Sequence, residues 1–96
     1  MNLTKFFIDN GFEEEDIIVK HKGINGNYWI LMMKNQRYIP AVMDMEMRQI
    51  RASLNSIIKT QIYKTSGELL KSFMGHRADG ESSVGKFIAI CREVLT

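Results

Sequence analysis

The chain has a single cysteine and only two histidines among its 96 residues. With Cys91 as the only thiol, no intramolecular disulfide can form, which is typical of proteins from a reducing compartment. A zinc site needs about four ligands, usually His and Cys at short spacings. His21, His76 and Cys91 are too few and too scattered for such a site. We therefore predict no bound metal and no cofactor.

Long hydrophobic runs are also missing. The longest run, Tyr28–Met33, has six residues, far short of the roughly 20 that a membrane-spanning helix needs. The first ten residues contain Lys5 and Asp9 and lack the apolar stretch of a secretory signal. With 45% hydrophobic and 25% charged residues, the composition is that of an ordinary globular protein. We predict one soluble, cytoplasmic domain over residues 1–96, with no membrane partner.

No grouping of residues in the sequence is typical of a catalytic centre. Cys91 falls in an apolar helical pattern, which predicts a buried thiol rather than a nucleophile. Gly80–Lys86 fits the first seven positions of a phosphate-binding loop. The eighth position must be Ser or Thr to hold Mg²⁺, and here it is Phe87. We predict that the protein is not an enzyme. Acid–base chemistry by His76 and Asp79 is kept as a third alternative.

Between residues 17 and 42 the pattern of apolar residues is that of strands. Ile17–Lys22, Asn27–Met33 and Arg37–Val42 are predicted strands, the first two joined by the turn signal Asn25-Gly26. Pro40 cannot donate a ladder hydrogen bond, which predicts that the third strand lies at a sheet edge. The second strand is then the middle of an antiparallel meander. Both of its faces are apolar, which predicts packing on both sides.

Helical patterns flank these strands. A short helix should end at Gly11, because glycine adopts the left-handed conformation of a helix terminus. Apolar residues recur at helical spacing from Asp44 to Tyr63, which predicts one long helix. Thr65 and Glu68 form a capping-box pattern for a third helix, and Ser82 or Ser83 caps a fourth. The predicted fold is α+β: a three-stranded antiparallel meander packed with about four helices, in the order α-β-β-β-α-α-α.

Charge is unevenly distributed along the chain. Residues 1–16 hold one basic and five acidic side chains, a net charge of −4. Residues 17–64 hold eight basic and two acidic side chains, a net charge of +6, and residues 65–96 are balanced. A concentration of positive charge favours a polyanionic or acidic partner.

Two groups of residues are candidates for binding. The basic candidates could contact phosphates or an acidic protein, or could form a solvated positive surface. Tyr and Trp side chains could stack on bases, and Met residues fill core gaps or form adaptable binding surfaces. The basic candidates are Lys20, Lys22, Lys34, Arg37, Arg48, Arg51 and Lys59, and the candidate hot spots are Tyr28, Trp29, Tyr38 and Met45.

Two function classes follow from these features. The first is a small non-enzymatic regulator whose basic ββ-α face contacts nucleic acid, although the motifs of known nucleic-acid-binding modules are absent. The second is a protein-binding inhibitor or adaptor. It rests on analogy with compact phage- and plasmid-encoded blockers of host complexes that handle nucleic acid, including anti-CRISPR proteins. A homodimer formed through an exposed aromatic strand or Met patch is left open.

Overall fold

A computed structural model describes residues 3–24, 26–44, 50–51, 63–74 and 81–96. These residues form an α+β fold around an antiparallel sheet with the strand order β1-β2-β3-β4. The predicted antiparallel meander, with β2 in the interior, is confirmed. The elements are α1 (Leu3–Asp9), a 3-10 turn (Glu14–Asp16), β1 (Ile17–Lys22), β2 (Tyr28–Lys34), β3 (Arg37–Met43), β4 (Ile50–Arg51), α2 (Ser66–Ser72) and α3 (Ser83–Leu95).

Two tight turns connect the three long strands. In the β1–β2 turn, the Gly26 N–H donates to the Gly23 carbonyl at 3.0 Å, and Gly26 has a φ of +85°. In the β2–β3 turn, Asn35 and Gln36 have φ values of +53° and +61°. Two left-handed residues form the hairpin turn whose twist matches that of the flanking strands. Asn tolerates this conformation, whereas Gln36 has no such preference.

Both faces of β2 are packed, as its continuous apolar run predicts. We call them the Trp29 face, which holds Trp29 and Leu31, and the Tyr28 face, which holds Tyr28, Ile30 and Met32. On the Trp29 face the strands pack against buried residues of α2 and α3, and on the Tyr28 face they pack against α1. The buried helix residues on the Trp29 face are Leu69, Phe73, Val84, Phe87, Ile88 and Cys91, and Phe7 is the buried helix residue on the Tyr28 face.

The helix ends follow the capping signals in the sequence. The Thr65 hydroxyl accepts from the Glu68 N–H at 3.1 Å and opens α2. The Ser82 hydroxyl accepts from the Gly85 N–H at 3.1 Å and opens α3. Gly11, with a φ of +83°, follows the end of α1. These local hydrogen bonds satisfy backbone groups that have no partner within the helix, which is why the sequence signals predicted these ends.

The prediction of one continuous helix from Asp44 to Tyr63 was wrong. Ile50 and Arg51 form β4, which pairs with Met43 and Val42 of β3. This pairing gives the backbone of β3 hydrogen-bond partners on its outer side, and such partners decide the conformation more strongly than the spacing of apolar side chains. Positions 45–49 and 52–62 of the predicted helix lie outside the described residues.

The prediction that β3 is an edge strand was also wrong. β3 pairs with β4 on its outer side, and Tyr38 of β3 also pairs with Tyr63 there. The backbone N–H groups of Tyr38 and Tyr63 donate to each other's carbonyls at 2.7 and 3.0 Å. Because alternate residues of a strand present their N–H groups to the same side, the nitrogen of Pro40 faces this outer side too. Pro40 lies between the Tyr63 bridge and β4, so its missing N–H falls where the pairing is interrupted.

Candidate functional site

Lys20 and Lys22 lie beside Tyr28 at one end of the Tyr28 face. Both lysines are exposed, and they pair in register with Ile30 and Tyr28 of β2. Residues two apart on a strand point to the same side. The Lys20 Nζ lies 5.4 Å from the centroid of the half-buried Tyr28 ring, within cation–π range. We call Lys20, Lys22 and Tyr28 the Lys20–Tyr28 cluster.

The exposed lysines of this cluster have a structural consequence and a chemical one. In the described sheet β1 is a terminal strand. Lysines on such a strand oppose edge-to-edge association with another sheet. The same exposure leaves both ammonium groups accessible to phosphate oxygens, and Tyr28 supplies an aromatic ring beside them.

Arg51 lies toward the same end of the sheet as the Lys20–Tyr28 cluster. Its backbone pairs with Val42, which pairs with Trp29, which in turn pairs with His21. With neighbouring strands about 4.8 Å apart, its backbone lies on the order of 14 Å from β1. The backbone of Arg51 is therefore at the same end of the sheet as Lys20 and Lys22, but in register with residues of the Trp29 face.

Lys34 and Arg37 lie at the opposite end of β2. They pair with each other across the β2–β3 turn, six positions along the strand from Tyr28, which corresponds to about 20 Å. The Lys34 Nζ lies 5.1 Å from the centroid of the Phe12 ring, and Arg37 is exposed. The basic residues of the three long strands thus form two separate groups rather than one track.

Three of the candidate residues, Met45, Arg48 and Lys59, lie outside the described residues. Two of the aromatic candidates pack in or against the core. Trp29 is only 7% exposed, and its ring centroid lies 6.1 Å from that of Phe87. Tyr38 is half-buried and packs against the core of the Trp29 face. Of the aromatic candidates, Tyr28 is the one beside exposed lysines.

The one cysteine and the described histidine, Cys91 and His21, are buried and half-buried respectively. Burial raises the pKa of the Cys91 thiol from 9.0 to about 12, so the thiol is almost entirely protonated at neutral pH. His21 was expected at the surface but is half-buried opposite Trp29, and its Nε2 has no hydrogen-bond partner. His76 and Asp79 lie outside the described ranges.

The described residues include neither a cluster of metal ligands nor a membrane-spanning helix. Across these residues, no three His, Cys, Asp or Glu side chains come together as metal ligands. None of the helices described here is long and apolar enough to cross a bilayer.

A groove of about 480 Å³ at the Lys34 end of the Tyr28 face was not predicted from the sequence. One signal could have indicated it, because Ile8 lies off the Phe6 and Phe7 stripe of α1 and must therefore be exposed or covered by something else. The groove is lined by Thr4, Ile8, Gly11, Phe12, Glu13, Glu14, Glu15 and Lys34.

Comparison with known proteins yields no relative for this chain: no family model, no curated protein and no solved structure matches it.

Proposed function

We propose that this protein is a small, cytoplasmic, non-enzymatic regulator that contacts nucleic acid through the Lys20–Tyr28 cluster. The observation that supports this proposal is the placement of two exposed lysines around one partly accessible aromatic ring. Lysines attract the phosphate backbone without regard to sequence, and an aromatic ring stacks on any base.

Single-stranded nucleic acid is the form that this cluster suits best. The bases of a duplex are already stacked on each other, whereas those of a single strand can stack on Tyr28 while its phosphates meet Lys20 and Lys22. Arg51 lies toward the same end of the sheet. Its backbone is in register with Val42 and Trp29, which belong to the opposite face. We therefore propose that the Lys20–Tyr28 cluster makes the contact by itself, and that Lys34 and Arg37 take no part in the same binding event.

The proposal is tested by the salt dependence of binding to a labelled single-stranded 12-mer, measured by fluorescence anisotropy. Removing one lysine that meets a phosphate should reduce the slope of log K against log salt by about 0.7. The Lys20→Gln/Lys22→Gln double variant should therefore lower the slope by about 1.4. The matched control is Lys71→Gln/Lys86→Gln, which removes two exposed lysines from α2 and α3 and should leave the slope unchanged.

The aromatic contribution is tested separately. Tyr28→Leu keeps an apolar side chain against the core but removes the stacking ring, and affinity should fall by about fivefold to 100-fold. Tyr28→Phe retains the ring and should bind like the wild type. Absence of binding at about 50 mM salt, where phosphate contacts are strong, or equal slopes for the two double-lysine variants, would refute the proposal.

A protein-binding inhibitor or adaptor is the second candidate function. The observation that favours it is the groove at the Lys34 end of the sheet, where the side chain of Ile8 is 57% exposed. A blocker of a host complex that handles nucleic acid, of the anti-CRISPR kind, would use such a surface to hold its target. Recovery of one stable protein partner in a nuclease-treated pull-down would support this function, and disappearance of the partner on nuclease treatment would count against it.

A further inference from the structure

The groove at the Lys34 end is held in shape by backbone hydrogen bonds. Gly11 has a φ of +83°, and this turn lets the Phe12 N–H donate to the Phe7 carbonyl at 2.7 Å. The Glu13 N–H donates to an Asp16 carboxylate oxygen at 2.9 Å, which fixes the start of the 3-10 turn. Both hydrogen bonds are made within the chain, and a binding surface whose backbone is fixed in this way loses less conformational entropy on binding.

Two large apolar side chains line the groove, those of Ile8 and Phe12. Ile8 is 57% exposed, and the half-buried Phe12 ring has the Lys34 ammonium 5.1 Å from its centroid. A single exposed isoleucine is ordinary on a protein surface. An exposed isoleucine inside a groove of about 480 Å³ is a place where an incoming apolar side chain can be buried.

The charged residues that line the groove are predominantly acidic. Glu13, Glu14 and Glu15 are exposed, and Lys34 is the only basic side chain among the lining residues. The lining thus carries three negative charges against one positive charge, the opposite sign from the Lys20–Tyr28 cluster. Nucleic acid would be repelled by these carboxylates, whereas lysine and arginine side chains would be attracted to them.

We propose that the groove binds a basic segment of a partner protein that carries one apolar anchor residue. The anchor packs on Ile8 and Phe12, and flanking lysine or arginine side chains meet Glu13, Glu14 and Glu15. This inference goes beyond the proposed nucleic-acid contact, because it uses the opposite end of the Tyr28 face and a partner of opposite charge. A protein with both sites could hold a basic protein segment while contacting nucleic acid at the other end of the sheet.

The test uses a labelled nine-residue peptide with a central leucine that is flanked on each side by one arginine and one lysine. Anisotropy titration with the full chain should show saturable binding. A peptide with serine in place of the leucine should bind about tenfold more weakly, because the apolar anchor is missing. A peptide with glutamine in place of the four basic residues should also bind more weakly, and added salt should not affect its binding.

Two protein variants locate the binding site. Ile8→Ser should weaken the leucine peptide about tenfold. Its control is Val94→Ser, which removes an apolar side chain of α3 that is 50% exposed. Glu15→Lys should weaken binding severalfold through like-charge repulsion, and its control, Glu93→Lys, makes the same change on α3. Thermal unfolding curves show whether each variant is folded, and both controls should bind like the wild type.

Several outcomes would overturn the proposal: no peptide binding, equal binding of the leucine and serine peptides, or wild-type binding by Ile8→Ser. A concentration-dependent dimer that Ile8→Ser abolishes would assign the groove to a second copy of the chain instead. The Lys20→Gln/Lys22→Gln variant separates the two sites. It should bind the peptide normally, so failure of the nucleic-acid proposal leaves this one standing, and the reverse also holds.

Discussion

The two faces of the sheet differ in how they are covered and in what they present. The Trp29 face packs against α2 and the 13-residue α3, and its cluster includes eleven buried residues. The Tyr28 face packs against the seven-residue α1, and its cluster includes five. In the described part of the chain, the Tyr28 face also carries the exposed lysines at one end and the groove at the other.

This difference indicates that the Trp29 face contributes mainly to stability and that the ends of the Tyr28 face are available for binding. A side chain buried beneath two helices contributes to stability but cannot meet a partner, whereas exposed side chains such as those of Lys20, Lys22 and Ile8 are accessible. The same strand, β2, supplies residues to both faces because its side chains alternate. Substitutions on the Trp29 face should therefore change stability, and substitutions at the ends of the Tyr28 face should change binding.

The largest expected effect comes from Phe87→Ala. Phe87 is fully buried on the Trp29 face, and truncation of a buried Phe costs about 3–5 kcal/mol of stability. Urea unfolding measures this destabilisation. Trp29 fluorescence in the folded variant should also change, since the two rings are 6.1 Å apart between centroids. Phe7→Ala, on the opposite face, should destabilise the protein without altering the Trp29 emission. A similar spectral change in both variants would contradict the separation of the two faces.

The pH dependence of stability should show the burial of Cys91. The folded-state pKa is raised from 9.0 to about 12 by desolvation, so the unfolded thiol ionises first. This contribution is fully present below pH 9 and is lost as the pH rises toward 12, at about 1.4 kcal/mol per unit. By about pH 11 the stability should have fallen by roughly 3 kcal/mol. Cys91→Ala lacks the thiol, and a wild-type curve parallel to that of this variant would contradict the assignment.

Gly23→Ala should cost about 1–3 kcal/mol, the usual range for overpacking. A Cβ on Gly23 would lie 2.7 Å from the Trp29 Nε1 and 2.8 Å from the Ser83 Oγ, where β1 meets α3. Gly11 is the matched site on the Tyr28 face, where space is open but φ is +83°. There Gly11→Ala is strained and Gly11→Asn should be tolerated better. Chemical denaturation tests both sites, and unchanged stability of Gly23→Ala would rule out the close approach.

The smallest expected effect is a gain in stability. Gln36 has a φ of +61° in the β2–β3 turn. Glycine adopts this conformation without steric cost because it has no Cβ, whereas L-residues do not. Gln36→Gly should stabilise the fold by about 0.5–1 kcal/mol, measured by thermal or urea unfolding. Arg37→Gly, at the adjacent strand position, should not stabilise, because its backbone is in β3. Stabilisation by both variants would contradict the explanation based on φ.

Local signals in the sequence predicted much of this fold. Thr65, Ser82 and Gly11 mark helix ends because their side chains, or the lack of one, act on the backbone within a few residues. The continuous apolar run of β2 predicted two packed faces, because successive side chains of a strand point to opposite faces. Signals of this kind depend on neighbours in sequence, so they can be recognised without knowing the rest of the structure.

Features that depend on distant residues could not be predicted in this way. The pairing of Ile50 and Arg51 with β3 competes with a helical spacing that looks continuous in the sequence. The separation of Lys20 from Lys34 follows from the lengths of the strands and their register, and the groove requires α1 to pack beside Lys34. Each of these features is decided by tertiary contacts, which composition and periodicity do not specify.

One hydrogen bond has a consequence for the order of folding. The Ile24 N–H donates to the Ser83 hydroxyl at 2.7 Å, which joins residues 59 positions apart, whereas the turns of the meander close over a few residues. Closing a long loop costs more chain entropy than closing a short one, and contacts between distant residues slow folding. We therefore expect the β1–β2–β3 hairpins to form early and α3 to dock late. Burial of Trp29 beneath Phe87 in a stopped-flow experiment would then time the final step.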